Sequence, residues 1–253
     1  MKGKFVLAVL VVATLAAVPA FAGSITVTSN TTDTLGAVTT NNGYLNGEPF
    51  TNAIEGDLTA GNLAQAYADA GITNSSFVGV GNNVSGTYAA ANPSWPVSTI
   101  SGQPSITVSF AGSIAGSPYG AGPSGFFANT FILPAGATSV SLLGAGNSDD
   151  EGYVFLNGHI LAFCSAGPPF QCNPTLGEYG DDTFSDSIQS DFNIGGVNTL
   201  VIADNNSGGG PSGAAYYATV TYNTSAVPEP SSLLMLGTGL AGVIGAIRRK
   251  FMV

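Results

Sequence analysis

Lysine and arginine are absent from the whole stretch between Phe5 and Ile247. The five basic residues of the 253-residue chain lie at its ends, as Lys2, Lys4, Arg248, Arg249 and Lys250. Proteins that bind nucleic acids neutralise phosphates with lysine and arginine, so this composition excludes nucleic acid as a partner. It also counts against enzymes of nucleotides and phosphoesters, because these enzymes hold phosphate with the same side chains.

Recognisable catalytic motifs are missing as well. The sequence contains no G-x-S-x-G nucleophile elbow, no P-loop and no H-E-x-x-H metalloprotease motif. The nearest match to a dinucleotide fingerprint, residues 79–84, has Val84 where the third glycine belongs. We therefore expect a protein that is not an enzyme.

The N-terminus has the three parts of a secretory signal peptide. Two lysines precede an apolar run from Phe5 to Val18, Pro19 ends the run, and an A-x-A site follows at Ala20 and Ala22. The run is shorter than the ~20 residues of a membrane-spanning helix, and the alternative is a buried core helix. The order of the three parts favours a signal peptide over residues 1–22, passage through the secretion translocon and cleavage after Ala22.

The C-terminus carries a second short apolar segment. Residues 227–232 read Val-Pro-Glu-Pro-Ser-Ser and lead into Leu233–Ile247, which ends at the basic triplet 248–250. As a helix, the apolar part would cover about 22 Å, less than the ~30 Å of a bilayer core. Basic residues after an apolar segment are typical of a cytoplasmic end. The pattern indicates transient insertion in the inner membrane, and an ordinary single anchor is the alternative.

These last residues, 227–253, resemble the PEP-CTERM sorting signal of Gram-negative bacteria. The resemblance rests on three parts in order: Pro228-Glu229-Pro230, an apolar segment, and the cluster Arg248, Arg249 and Lys250. It implies an exosortase-type enzyme as partner, which recognises the Pro-Glu-Pro motif and removes the tail. It also implies export to the cell surface or to the exopolysaccharide matrix.

Between the two signals, residues 23–226 have the composition of an all-β domain. Alternating apolar and polar residues predict strands, and helix formers are scarce. The predicted strands are Ser24–Thr28, Ser105–Phe110, Ser139–Leu143, Gly152–Leu156, His159–Phe163, Asn198–Ala203 and Ala215–Tyr222. A short helix is expected within 61–71, a tight turn at Asn157-Gly158, and weakly ordered loops at 29–60 and 81–104. This pattern favours a β-sandwich, jelly-roll-like in its connections.

The two cysteines of the chain, Cys164 and Cys172, enclose a short loop. In an exported protein, such a pair predicts a structural disulfide. A catalytic thiol would need a base, and the single histidine, His159, is expected at the surface of a hairpin. The three side chains also lack a fourth ligand for zinc. The spacing thus favours a disulfide.

Acidic residues are densest in the segment 147–152. Asn147, Asp149 and Glu151 alternate like the first ligands of a calcium loop, but an EF-hand is excluded because its twelfth position would be Gly158. The alternatives are a solvated acidic turn and a calcium site between β loops. Residues 149–158 also resemble galactose-binding-like jelly-roll domains, which implies a metal role for Asp149 and Asp150. We accordingly name Asn147, Asp149, Asp150 and Glu151 as candidate calcium ligands.

We expect an exported surface or exopolysaccharide-matrix protein with a structural or adhesive role. The second hypothesis is a calcium-dependent carbohydrate-binding module, with Trp95 as an aromatic platform for a sugar. The third is a secreted glycoside hydrolase or esterase, with Asp149 and Glu178 considered as a carboxyl pair.

Overall fold

Most of the described chain is β-strand, as the alternating runs predict. The computed structural model describes residues 20–30, 32–39, 50–82, 108–109, 124–149, 151–165, 171–172, 176–177, 182–206, 213–225 and 230–251. The strands are β1 (Ala20–Thr28), β2 (Leu35–Val38), β3 (Val78–Gly79), β4 (Gly81–Asn82), β5 (Val108–Ser109), β6 (Gly125–Ile132), β7 (Ala137–Asp149), β8 (Glu151–Leu156), β9 (His159–Ser165), β10 (Gln171–Cys172), β11 (Leu176–Gly177), β12 (Asp182–Asp186), β13 (Val197–Asn205) and β14 (Gly213–Ser225). The helices are α1 (Asn52–Thr59), α2 (Leu63–Asp69) and α3 (Pro230–Phe251), with 3-10 turns η1 (Asn74–Ser76) and η2 (Gln189–Asp191).

Within these residues the strands form two sheets. The six-stranded sheet has the order β12-β7-β14-β5-β4, with β1 also paired to β14. The eight-stranded sheet has the order β10-β9-β8-β13-β6-β2-β3, with β11 also paired to β8. The prediction of an all-β sandwich is confirmed. Six of the seven predicted strands are present over their whole length, and the seventh, Ser105–Phe110, is described only at Val108–Ser109.

The interior of the sandwich lies between the two sheets. Leu200 and Ile202 of β13 and Val154 of β8 pack there against Tyr216 and Val220 of β14. Neighbouring residues point to opposite faces of a strand, so β8 and β13 also send side chains to the outer face of the eight-stranded sheet. That face is covered too, which explains why these two strands have continuous apolar sequences rather than alternating ones.

The cover on the outer face is a pair of short helices that pack onto the sheet. Ile54 and Leu58 of α1 and Leu63 and Ala66 of α2 are buried in a second core. Sheet residues of this second core are Ala37, Phe126, Tyr153, Phe155, Val201 and Ala203. A second hydrophobic core therefore lies outside the sandwich.

Polar side chains cap the N-termini of both helices. The Thr51 side chain accepts a hydrogen bond from the Ile54 amide at 3.4 Å, and the Asn62 side chain accepts one from the Gln65 amide at 3.3 Å. The predicted helix within 61–71 is confirmed as α2, followed by Gly71 at φ +69°. The expectation of a loop throughout 29–60 is wrong, because this segment contains β2 and α1.

The tight turn predicted between β8 and β9 is also present. Asn157 has φ +50° and Gly158 has φ +89°, the left-handed conformations that a two-residue hairpin turn of this kind requires. Beside it, His159 is 55% exposed and lies 3.8 Å from the Asp191 carboxylate.

The described structure divides into two compact units, Gly23–Tyr222 and the two terminal segments Met1–Ala22 and Asn223–Val253. Helix α3 belongs to the terminal unit and contains the whole apolar segment 233–247, for which we expected membrane insertion. Among the described residues, no helix has both the length and the apolar character needed to cross a membrane. Residues 1–19, most of the expected signal peptide, lie outside the described residues.

Candidate functional site

The acidic segment 147–152 forms the connection between β7 and β8. Asn147 and Asp149 are the third-last and last residues of β7, and Glu151 is the first residue of β8. Asp150 lies outside the described residues, as do the side chains of Asn147 and Asp149. Glu151 is therefore the one candidate calcium ligand whose surroundings are described.

Glu151 is 1% exposed, so the interpretation of this segment as a solvated turn is wrong at this residue. Its Oε2 accepts a hydrogen bond from Asn205 Nδ2 at 3.3 Å. The same Nδ2 donates to Glu55 Oε1 at 3.0 Å. One amide nitrogen thus connects a carboxylate of α1 with a carboxylate of β8.

Asn205 is itself held from the other side. Its Oδ1 accepts hydrogen bonds from the Phe50 amide at 2.8 Å and from Ser124 Oγ at 3.4 Å. The register of the sheet places Asn205 directly opposite Glu151. The amide plane is therefore fixed on both edges, with the oxygen toward donors and the nitrogen toward carboxylates.

A second buried carboxylate, Asp204, precedes Asn205. It is fully buried and accepts a hydrogen bond from Ser148 Oγ, which also contacts the Glu151 carbonyl oxygen at 2.9 Å. We call Glu55, Ser148, Glu151, Asp204 and Asn205 the acidic network. Its hydrogen bonds link the β7–β8 connection to β13, and β13 to α1.

The acidic network contributes to the electrostatics of its neighbour Tyr153. The pKa of the Tyr153 hydroxyl is raised to about 12, mainly by burial; a hydrogen bond with Thr59 lowers it in part, and the charges of Glu151 and Glu55 make smaller contributions that raise it. Tyr153 is consequently neutral at physiological pH. The described residues contain no group of three histidine, cysteine or acidic side chains arranged to hold a metal ion.

The sequence identifies only part of this network. Glu151 was singled out, whereas Glu55 and Asn205 were missed because they are 150 residues apart along the chain. The available signal was the polar pair Asp204-Asn205, which follows directly on the buried apolar run of β13.

The remaining predicted site residues lie elsewhere. Trp95 and Glu178 are outside the described residues. The backbone of Cys164 in β9 is paired opposite that of Cys172 in β10, and the side chains of both cysteines are outside the description. Of the expected cleavage site, Ala20 and Ala22 lie in β1, with Ala22 exposed.

The sorting residues that are described belong to α3. The helix begins at Pro230 and contains Arg248, Arg249 and Lys250 in its last turn, with both arginines exposed. Proline is favoured in the first turn of a helix, and basic residues are favoured in the last, where they complement the helix dipole. Pro228 and Glu229 lie outside the described residues.

Comparison with solved structures finds only weak similarity. The chain is 11% identical to a Bacteroides fragilis protein assigned as a β-galactosidase, covering 78% of this chain and 23% of that one, with a TM-score of 0.37. It is 17% identical to a β-glucuronidase from Ruminococcus gnavus, covering 56% of this chain and 26% of that one, with a TM-score of 0.28. The chain therefore spans about a quarter of these proteins, and such TM-scores support no inference about activity.

Comparison with curated proteins gives no match. Residues 226–250, in contrast, match the family model of the PEP-CTERM protein-sorting motif. The match includes the Pro-Glu-Pro residues, the apolar segment and the basic triplet on which the sequence resemblance rests. The chain carries a PEP-CTERM protein-sorting motif at its C-terminus, which implies an exported protein that an exosortase recognises.

Proposed function

We propose that the protein is a component of the cell surface or exopolysaccharide matrix, where its β-sandwich has a structural or adhesive role. The observation that carries the proposal is the sorting motif at 226–250, attached to an all-β domain. The proposed sequence of events is export through the translocon, transient membrane association of the tail, and removal of the tail by an exosortase.

The polar residues of the domain favour a structural role over catalysis. Glu151 and Asp204 are buried, and they accept hydrogen bonds from Asn205 and Ser148 of the same domain. A glycosidase needs two carboxyl groups that flank a substrate in an open cleft. Buried carboxylates that join strands to a helix serve the fold instead, so hydrolysis of a glycan or ester is our third candidate.

A calcium-dependent carbohydrate-binding module is the second candidate. It is favoured by the position of Glu151, which is buried directly after the candidate ligands Asp149 and Asp150. Clustered carboxylate oxygens are the ligands that calcium prefers. In a domain without lysine or arginine, a bound cation would also offset acidic repulsion.

The leading proposal is tested by following the tail in the producing bacterium. We expect the wild-type protein in the surface or matrix fraction, with an intact mass that lacks both residues 1–22 and the C-terminal tail. Glu229→Ala removes the acidic residue of the Pro-Glu-Pro motif, and we expect it to remain cell-associated with its tail uncleaved. Glu48→Ala removes the same charge outside the motif and is expected to behave as wild type.

Two results would contradict the proposal. One is a wild-type protein that is found inside the cell. The other is a wild-type protein in the surface fraction whose mass still includes Val253, which would refute processing while leaving export intact.

A further inference from the structure

A cleft of about 480 Å³ lies on the outer face of the eight-stranded sheet, beside α2. This volume is within the ~300–1,000 Å³ range of small-molecule sites in proteins. The cleft is separate from the acidic network, since no residue of that network lines it. All of its lining residues belong to the Gly23–Tyr222 unit.

The floor of the cleft is the part of the outer sheet face that the helices leave open. Leu35, Ala128 and Val201 lie side by side across β2, β6 and β13, and Thr130 lies opposite Thr199 one step further along. All five residues line the cleft, and four of them have side chains no larger than valine or threonine, so the floor consists mainly of small side chains. Beyond it, the same face is filled by Phe126 and the helices.

The wall of the cleft is aromatic and rigid. Tyr67 of α2 packs edge-on against Phe77, with ring centroids 5.8 Å apart, and against Phe126, with centroids 4.8 Å apart. Such edge-to-face contacts fix the ring orientation. Tyr67 and Phe77 both line the cleft, so a ligand on the floor meets an apolar surface held in place before binding.

Tyr67 also brings a hydrogen-bonding group. Burial raises the pKa of the Tyr67 hydroxyl above its ordinary value, so the hydroxyl stays protonated at physiological pH. A neutral hydroxyl of this kind can donate to, or accept from, a hydroxyl of a ligand.

The rim of the cleft is polar and carries negative charge only. Asp33 and Asn74, both exposed, line it together with Asn157. No lysine or arginine exists anywhere between Phe5 and Ile247 to balance an anionic ligand. The rim therefore disfavours uronic acids, sulfated sugars and phosphates, and it suits a ligand with many uncharged hydroxyl groups.

We propose that this cleft binds an uncharged hexose unit of an extracellular polysaccharide. A pyranose ring has an apolar face of C–H groups that fits the aromatic wall and small-residue floor. Its hydroxyl groups match the carboxylate of Asp33 and the amide of Asn74. The proposal rests on the proposed surface role and names the ligand class and the site for it.

The test is affinity electrophoresis of the full-length protein in native gels that contain one polysaccharide each. The uncharged probes are laminarin, dextran and galactomannan, and the charged probe is polygalacturonate. We expect at least one uncharged probe, and not polygalacturonate, to retard the protein. Thr130→Tyr fills the floor and is expected to weaken this binding at least about tenfold. Tyr67→Phe removes one hydroxyl and is expected to weaken it several-fold.

The matched control is Thr183→Tyr, which makes the same change at an exposed position of β12 in the other sheet. It should bind as wild type does. Melting curves establish that each variant is folded, and Asn74→Ala at the exposed rim serves as a further variant if Thr130→Tyr unfolds.

The failures of the two proposals are distinguishable. Retardation by an uncharged probe that Thr130→Tyr and Tyr67→Phe leave unchanged would place sugar binding elsewhere and leave the adhesive role standing. Equal retardation by polygalacturonate would overturn the assignment of an uncharged ligand. Absence of retardation by every uncharged probe would overturn the cleft proposal, while the surface role is judged separately from the cell fractions.

Discussion

Asparagine side chains in this protein supply hydrogen-bond donors that lysine and arginine often supply in other proteins. Asn205 donates to the carboxylates of both Glu55 and Glu151, a position where lysine or arginine would be usual. Asn157 has a similar connecting role, because its amide donates to the Asp191 carbonyl oxygen at 2.7 Å and accepts from the Thr199 amide at 2.9 Å. In a domain without basic residues, asparagine thus supplies donors without adding charge.

The carboxyl groups of Asp57 in α1 and Asp69 in α2 interact with each other. Partial burial first, and then the charge and hydrogen bond of Asp69, raise the pKa of Asp57 above its ordinary value of 3.8. A raised pKa means that folding favours the protonated acid. The pair therefore costs no stability below the unfolded-state pKa and becomes increasingly unfavourable as the pH rises through the folded-state value.

We predict that Asp57→Asn raises the melting temperature at pH 7, because the amide keeps a donor toward Asp69 without the repulsion. The gain should shrink as the pH falls toward about 3.8 and vanish below it. Thermal melting of both proteins from pH 3 to pH 7 measures the difference. Asp33→Asn, which removes an exposed charge outside the helix pair, is the control. A gain that stays constant over this pH range would contradict the explanation.

At the level of elements, the sequence predicts strands well because alternating apolar residues and turn residues are visible in the local sequence. The alternation of Tyr217–Tyr222 and the Asn157-Gly158 turn each specify their own conformation. Helix α1 was missed because its segment is rich in polar residues, and only the spacing of Ile54 and Leu58 indicates a helix. Its burial depends on a sheet face formed by distant residues, which no local pattern shows.

The hairpin of β9 and β10 determines whether the predicted disulfide is feasible. Cys164 and Cys172 are directly opposed in an antiparallel pair. Directly opposed residues have Cα atoms about 4.5–5.5 Å apart, which is within the ~4.4–6.8 Å range of disulfides. The backbone register is therefore compatible with the pairing that the sequence spacing suggests.

We predict that the exported protein contains a Cys164–Cys172 disulfide. Peptide mapping without reductant should give one linked peptide pair, and a thiol label should react only after reduction. Replacing both cysteines by serine is expected to lower the free energy of unfolding by about 2–3 kcal/mol, because the loop closure is lost. Cys164→Ser alone should expose one reactive thiol at Cys172. Labelling of both thiols in the untreated wild-type protein would show that the disulfide is absent.

At the level of the whole molecule, charge is the unusual property. All fifteen acidic residues except Glu229 lie in 23–226, and that region has no lysine or arginine, so its formal charge is −14. The sequence alone predicts this repulsion. It does not predict that Glu55, Glu151 and Asp204 converge on one buried network, because α1, β8 and β13 meet only in the folded sheet.

This charge predicts a stability that depends on cations in two separable ways. Raising NaCl from 10 to 150 mM shortens the Debye length from ~30 to ~8 Å and should raise the melting temperature, since exposed carboxylates are then screened from one another. If calcium also binds at the β7–β8 connection, CaCl₂ should raise it further than NaCl or MgCl₂ at equal ionic strength. A ligand at 100 times its Kd adds about 2.7 kcal/mol to the free energy of unfolding.

The variant Asp149→Asn with Asp150→Asn separates the two effects. It should keep the response to NaCl, because twelve of the fourteen acidic residues of 23–226 remain, and it should lose the extra response to calcium. Thermal melting of both proteins, with and without EDTA, measures each effect. If EDTA leaves the wild-type melting temperature unchanged and calcium adds nothing beyond ionic strength, the calcium-dependent candidate is wrong. Screening and internal amide donors would then be what the domain relies on to tolerate its charge.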